Sequence, residues 1–241
     1  MLAKHTIPTD PYTVSGFVFY CFVCVMHLAV LGGSGRMGQE LITQALHRNR
    51  SVSTLVRRPE SLTHITPLRE NSLTILTGDA TNPNDVIRVI CDADAVIHAV
   101  SVPLIHHKPT TLYSRTTQAV IDVRSHTKAI HYVVMSSTGT DHVRRELPRG
   151  VRQVYEYFLG DVADDKEREE SLLEHSSLPY TVIKSPFLIP GTIKKSSLTA
   201  FTSYKSSLRD IISRMTVAHT ILDIITHQSH IRQKIVPVHA F

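Results

Sequence analysis

The residues best suited to chemistry form a short glycine loop, Gly32-Gly33-Ser34-Gly35-Arg36-Met37-Gly38. Its G-x-x-G-x-x-G spacing follows the apolar run Leu28–Leu31 and opens a segment carrying Leu41, Ile42 and Ala45 at helical period. Glycines at those positions permit a tight turn and let backbone N–H groups approach a pyrophosphate, whose charge is favoured at a helix N-terminus. Gly38 would bring the helix close to the sheet. Ser34, Arg36 and Met37 share the loop, and Arg36 is placed either to lean over an adenine ribose or phosphate or to stand exposed. A bare tight turn is the competing use of such a pattern. Nineteen residues beyond Gly38, after a β-branched run, come Arg57 and Arg58. NAD-binding chains present an acidic residue near this position for the ribose hydroxyls, whereas a guanidinium holds a 2′-phosphate by charge-assisted hydrogen bonds. The pair therefore predicts NADP (NADPH) rather than NAD, against the alternative of two solvated arginines.

Other reactive groups are scattered. Tyr180-x-x-x-Lys184 has the spacing that would pair a phenol and an ammonium on one helix face, but Leu178-Pro179 and Ser185-Pro186 bracket it as a strand. Four residues of strand separate the two side chains by about 13 Å, so they cannot cooperate. Ser137 stands where a parallel sheet presents its C-terminal edge, suited to hydrogen-bond a substrate carbonyl and equally suited to cap a helix or close a turn. Tyr113 could reach a pocket or fill a helix face. His98 could face the core or a ligand. His106 and His107 lie in the Val102–Thr111 segment, read as a flap or a solvated loop. A G-x-S-x-G nucleophile elbow and a P-loop lysine are absent, and His227 with His230 lack the second cluster that a zinc site needs.

The elements that must position these groups alternate along the chain. Strands are predicted at Leu28–Leu31, Val52–Val56, Leu73–Thr77, Ala95–Ala99, His131–Met135 and Tyr180–Lys184, with a short one at Ile235–Val238. Helices are predicted at Gly38–His47, Asn84–Cys91, Leu112–His126, Asp164–His175 and Thr216–Thr226. This order implies βαβ units and an α/β fold, a single doubly wound parallel sheet of Rossmann type flanked by helices.

Composition agrees with a globular chain: 241 residues, 42% hydrophobic and 20% charged, which excludes disorder as the main theme. Three cysteines are too few for a disulfide scaffold and make a reducing, cytoplasmic setting the expectation. The net charge of +5 arises from dispersed Lys and Arg, without the clustered footprint of a nucleic-acid binder. The apolar stretch from Gly16 to Leu31 gives up its second half to the first strand, and the remainder is too short to cross a bilayer. Because Met26 directly precedes that strand, the natural chain is expected to start there, with residues 1–25 an upstream apolar extension and residues 26–241 the nucleotide-binding domain. Cys21 and Cys24 are read as apolar residues of that extension.

The segments LAVLGGSGRMG, LVRRPESL, LTGDATNP, DADAVIHAVS and YVVMSSTG, in this order, resemble the atypical short-chain dehydrogenase/reductase group, specifically the NAD(P)-binding proteins related to NmrA and to biliverdin reductase B. So do LLEHSSLPYTVIKSP and VAHTILDII further on, and the resemblance covers nearly everything after Met26. It implies that Asp79 sits beside the adenine, Arg57 at the 2′-phosphate, Ala99, Val100 and Ser101 along the middle of the cofactor, and Ser137 near the nicotinamide. The reductase branch carries a histidine after the sixth strand, where this chain has Phe187, which argues against a biliverdin-type reaction and leaves hydride transfer to another acceptor open. The implied function is an NADPH-dependent oxidoreductase passing hydride to a small carbonyl, quinone or flavin acceptor. A non-catalytic NADP(H)-binding sensor of the NmrA type, acting through a protein partner, is the alternative, and a cofactor-retaining isomerase is the weaker third. A monomer or small homo-oligomer, without nucleic acid or membrane, is expected.

Overall fold

A computed structural model describes residues 25–65, 67, 71–103, 109–128, 130–205 and 210–239. The first 24 residues, including Cys21 and Cys24, lie outside the described residues, as do His106 and His107.

Five parallel strands and three helices come first among the described residues. They comprise β1 (His27–Leu31), α1 (Arg36–His47), β2 (Ser51–Val56), β3 (Leu73–Thr77), α2 (Pro83–Ile90), β4 (Ala95–His98), α3 (Leu112–Asp122) and β5 (His131–Ser137). Then follow α4 (Asp141–Glu146), α5 (Arg149–His175), β6 (Tyr180–Ser185), β7 (Phe187–Ile189), β8 (Ser196–Ala200), β9 (Ile211–Ser213), α6 (Arg214–His227) and β10 (Gln233–His239). The main sheet has the order β3-β2-β1-β4-β5-β6-β10-β8, all parallel except the edge strand β8, which runs antiparallel to β10. β7 and β9 form a separate parallel pair. The order turns back between β1 and β4, the switch point where open α/β sheets bind ligands beyond their strand ends.

The alternation of side chains across β1 shows why Leu28–Leu31 is apolar without interruption. Leu28 and Val30 join Leu41 and Ile42 of α1 and Val217 and Ile221 of α6 in one core. Ala29 and Leu31 join Val86 of α2, Val120 of α3 and Leu173 of α5 in the other. A strand covered by helices on both faces must be hydrophobic at every position. Helix starts follow their capping residues: the side chain of Asn82 accepts the Asn84 N–H at 3.0 Å ahead of Pro83, and Ser213 Oγ accepts the Thr216 N–H at 3.0 Å.

Three departures from the expected elements have physical reasons. Helix α5 starts at Arg149 instead of Asp164, because its first half leaves Val151, Val154, Tyr157 and Phe158 exposed and so offers no core-facing stripe to read. Helix α3 stops at Asp122, and Arg124–His126 continue as a separate 3-10 turn. The short elements α4, β7, β8 and β9 carry too few residues for a period to show. Among the described residues no helix is long and apolar enough to cross a membrane.

Candidate functional site

A cavity of about 400 Å³ opens at the switch point. Its floor is the glycine loop with Gly32, Ser34 and Gly35; one wall comes from the ends of β2 and β3 with Leu55, Val56, Arg57, Gly78 and Asp79; the other comes from Ala99, Val100, Ser101 and the start of α3. These elements meet there because parallel strands end together. Val56 is the register partner of Thr77, so Arg57 and Asp79 leave neighbouring strands at nearly the same height.

The loop is closed by the Gly35 N–H donating to the Gly32 carbonyl at 3.1 Å, and Gly32 holds φ +90°, a conformation that L side chains rarely adopt. Gln39 Nε2 donates to the Ser34 carbonyl at 3.2 Å and to the Ser61 carbonyl at 3.4 Å, tying the loop to the turn after β2. Gly38 is required by packing: a Cβ there would stand 2.3 Å from the Gly32 oxygen. Gly35 is different. Its Cβ would meet nothing closer than the Gly32 oxygen at 3.4 Å, then Ala99 O and Ser101 Oγ at 3.8 Å. The chain's own packing leaves that space open, on the side of the cavity. Gly35 is also the N-cap of α1 and brings no side chain to its first N–H groups, and the first turn carries no acidic residue. Helix α3 contrasts with it, since the buried Asp165 carboxylate accepts the Tyr113 and Ser114 N–H groups at 2.9 and 3.4 Å. An uncapped helix start facing a cradle without side chains suits the pyrophosphate of a dinucleotide, so the residues present fit such a cofactor.

Asp79 is exposed and anchored by Thr81, whose N–H and hydroxyl both donate to Oδ1 at 2.9 Å. Those bonds, with the nearby charges of Arg57 and Arg115, hold its carboxyl below the usual carboxylate range. Its own N–H donates to Asp85 Oδ2 at 3.0 Å, and Asp85 pairs with Arg88 at 3.1 Å.

Not every expected residue reaches the cavity. Gly32, Ser34, Gly35, Arg57, Asp79, Ala99, Val100 and Ser101 line it together. Arg36 and Arg58 are exposed outside the lining, and Met37 turns its side chain into the core beside α1. Ser137 also lies outside the lining; its Oγ accepts the Gly139 N–H at 3.2 Å, the geometry of a turn hydroxyl. Tyr113 is buried, with its hydroxyl accepting the Val102 N–H at 3.2 Å and its pKa pushed up to about 12 by burial. His98 faces the core: Nδ1 lies 2.6 Å from Glu169 Oε1, with Thr117 and Tyr132 completing the network. Tyr180 and Lys184 lie on β6 as the bracketing prolines require, and Lys184 is fully buried between Glu170 at 2.6 Å and Asp141 at 2.8 Å. Sequence reasoning missed Arg115, Thr81 and the Thr110–Leu112 segment of the cavity, as well as the buried Lys166. The Lys166 ammonium donates to the Met135 carbonyl at 2.8 Å and sits 4.1 Å from the Tyr113 ring centre, its pKa lowered by burial. Only a helical-wheel guess for α3 would have turned Arg115 toward the glycine loop.

The NAD(P)H-binding family matches residues 32–228, from the first glycine of the loop to the end of α6. The chain belongs to that family. No curated protein matches it in sequence. Among solved structures the chain is similar to a putative epimerase from Bacteroides thetaiotaomicron, at 17% identity over 90% of this chain and 98% of that one, with a TM-score of 0.71. It is similar to an anaerobillin reductase from Escherichia coli O157:H7, at 18% identity over 89% and 97% of the two chains, TM-score 0.69. A short-chain dehydrogenase/reductase from Veillonella parvula, solved in complex with NADP, matches at 17% identity over 89% and 94%, TM-score 0.65. These likenesses concern the Rossmann fold. Reductase and epimerase names both occur among them, so the fold leaves the reaction open.

Proposed function

We propose that this NAD(P)H-binding chain is an NADPH-dependent oxidoreductase that passes a hydride to a small carbonyl, quinone or flavin acceptor. The observation that carries the reading is the assembly of one cavity from the open glycine loop, Arg57 at the end of β2 and Ala99–Ser101 at the end of β4. When bound, the cofactor supplies the hydride, and the protein supplies binding, orientation and electrostatics. The first-turn N–H groups of α1 would hold the pyrophosphate, Arg57 the 2′-phosphate and Asp79 the adenosine end. Ala99, Val100 and Ser101 would support the middle of the cofactor. Arg36, Met37, Gly38 and Arg58, expected to bind the cofactor, belong to the loop and turn around this site and stand outside its lining. Ser137, at the end of β5, is our candidate for the hydrogen bond to the acceptor: its Oγ accepts the turn bond from Gly139, and its O–H is left to donate. Tyr180 and Lys184 do not form a cooperating phenol–ammonium pair, which favours acceptors whose reduced form is stable as an anion or takes its proton from water.

That same feature favours a second reading, a nucleotide sensor that binds NADP(H) without turnover. The two separate in one assay. NADPH oxidation followed in the near ultraviolet against quinones, flavins and carbonyls should show acceptor-dependent turnover that a Gly35 substitution abolishes. Binding without turnover across that panel would select the sensor, and absence of NADPH binding would refute both.

A further inference from the structure

The adenosine end of the cavity is bounded from two directions. Arg57 and Asp79 descend from the neighbouring strands β2 and β3, while Arg115 comes from α3 on the opposite side of the switch point. No hydrogen bond or ion pair from the described residues reaches the guanidinium of Arg57 or of Arg115. The carboxylate in the lining, Asp79, spends its Oδ1 on Thr81, and Asp85, which accepts the Asp79 N–H, is matched by Arg88. Two forks of donors therefore line one cavity together with one carboxylate, Asp79.

The backbone beneath Arg115 is held in place. Asp165, fully buried on α5, accepts the N–H groups of Tyr113 and Ser114, and Arg168 Nη2 donates to the Thr110 carbonyl at 3.0 Å. Helix α3 is thus fixed to α5, so only the arginine side chain has to move to meet a ligand, which lowers the ordering cost of binding.

Charge decides what that ligand is. A phosphate monoester carries close to two negative charges near neutral pH. Arg57 opposite Asp79 alone would give a subsite of zero net charge, which would discriminate poorly between a 2′-phosphate and a 2′-hydroxyl. Arg115 makes the subsite positive, and its planar fork can take two phosphate oxygens at once. We infer that Arg115 is a specificity-determining residue of this chain, closing over the nucleotide's 2′-phosphate from α3 as the second arm of a clamp whose first arm is Arg57. The inference rests on the nucleotide-binding reading above and adds to it the residue that sets the sign of the phosphate subsite.

The test uses 2′,5′-ADP and 5′-AMP, which differ only in the 2′-phosphate, as competitors of NADPH and as direct ligands in calorimetry of the full chain. Arg115→Gln should weaken 2′,5′-ADP by about tenfold or more, the scale of a charge-assisted hydrogen bond, and 5′-AMP by less than about threefold. Arg115→Lys should recover part of the difference, since it restores the charge without the fork. Thermal unfolding of each variant should stay with the wild type, because Arg115 is exposed and its guanidinium makes no hydrogen bond or ion pair with the described residues. Equal weakening of both probes would place Arg115 on the adenine or the 5′-phosphate and overturn the inference, as would unchanged binding of 2′,5′-ADP. In both cases the wild type would still bind NADPH. A wild type that binds no NADPH would take down the nucleotide-binding reading together with the clamp.

Discussion

Replacing Gly35 with Ala should separate binding from folding. The residue has φ −73° and ψ 157°, a conformation any L residue adopts, and an added Cβ would stand 3.4 Å or more from its neighbours. Removing a glycine from such a position stabilises by about 0.4–1 kcal/mol through the unfolded chain. Alanine is a poorer N-cap than glycine by a comparable amount. The two effects offset, and the net change should stay within about 1 kcal/mol, a Tm shift of about 2–4 °C for a chain of this size. The same Cβ would enter the cradle beneath the pyrophosphate and break one close N–H contact, at about 1.5–3 kcal/mol for a hydrogen bond to a charged group. NADPH affinity should then fall by about ten- to a hundredfold. Gly38→Ala is the control with the opposite signature. Its Cβ would lie 2.3 Å from the Gly32 oxygen and 2.7 Å from Gly33 Cα, both backbone atoms, so overpacking should cost about 1–3 kcal/mol and lower Tm. Calorimetric NADPH titration and thermal unfolding of both variants measure the contrast. A Gly35→Ala protein that binds NADPH normally, or one that unfolds as early as Gly38→Ala, would refute the reasoning.

Further expectations concern charge. Arg57→Ala should weaken NADPH much more than NADH in parallel titrations, and equal losses would remove Arg57 from the 2′-phosphate. Lys184→Met should destabilise by about 3 kcal/mol in urea unfolding, because it strips Glu170, itself buried, and Asp141 of the ammonium between them, leaving Glu170 with Lys234 and the Ser136 hydroxyl; a loss below about 1 kcal/mol would show that Lys234 and Ser136 suffice. His131 is buried, with Nε2 2.8 Å from Thr181 Oγ1 and Nδ1 without a partner among the described residues, and burial lowers its pKa to about 4 from 6.5. Between those values the unfolded chain binds a proton that the folded one refuses, so stability should fall as pH drops from about 6.5 to 4, by about 3 kcal/mol at most from this residue. His131→Gln should flatten the corresponding part of the stability–pH curve; an unchanged slope would show that other histidines set it.

The parallel order of strands and the first βα turn were legible in the sequence because their signals are local. A continuous apolar run, glycines at fixed spacing and a following helical period lie within some twenty residues, and each restricts the backbone by itself. The two prolines around Tyr180–Lys184 likewise settled strand against helix, and the structure places Lys184 in an ion cluster with no relation to Tyr180. Other features had no local signal. Arg115 shares the cavity with Arg57 and Asp79 only because β4 leads α3 across the switch point, bringing together residues 36 and 58 positions apart. Asp165 caps α3 from a distance of 52 residues, and His98 reaches Glu169 over 71, both in a buried network that no periodicity encodes. The chain's own chemistry thus fixed which backbone would make the cradle. Packing of the helices on the two sheet faces decided which charges would look into it, since side-chain partners are set by the distance between elements in space and not along the chain.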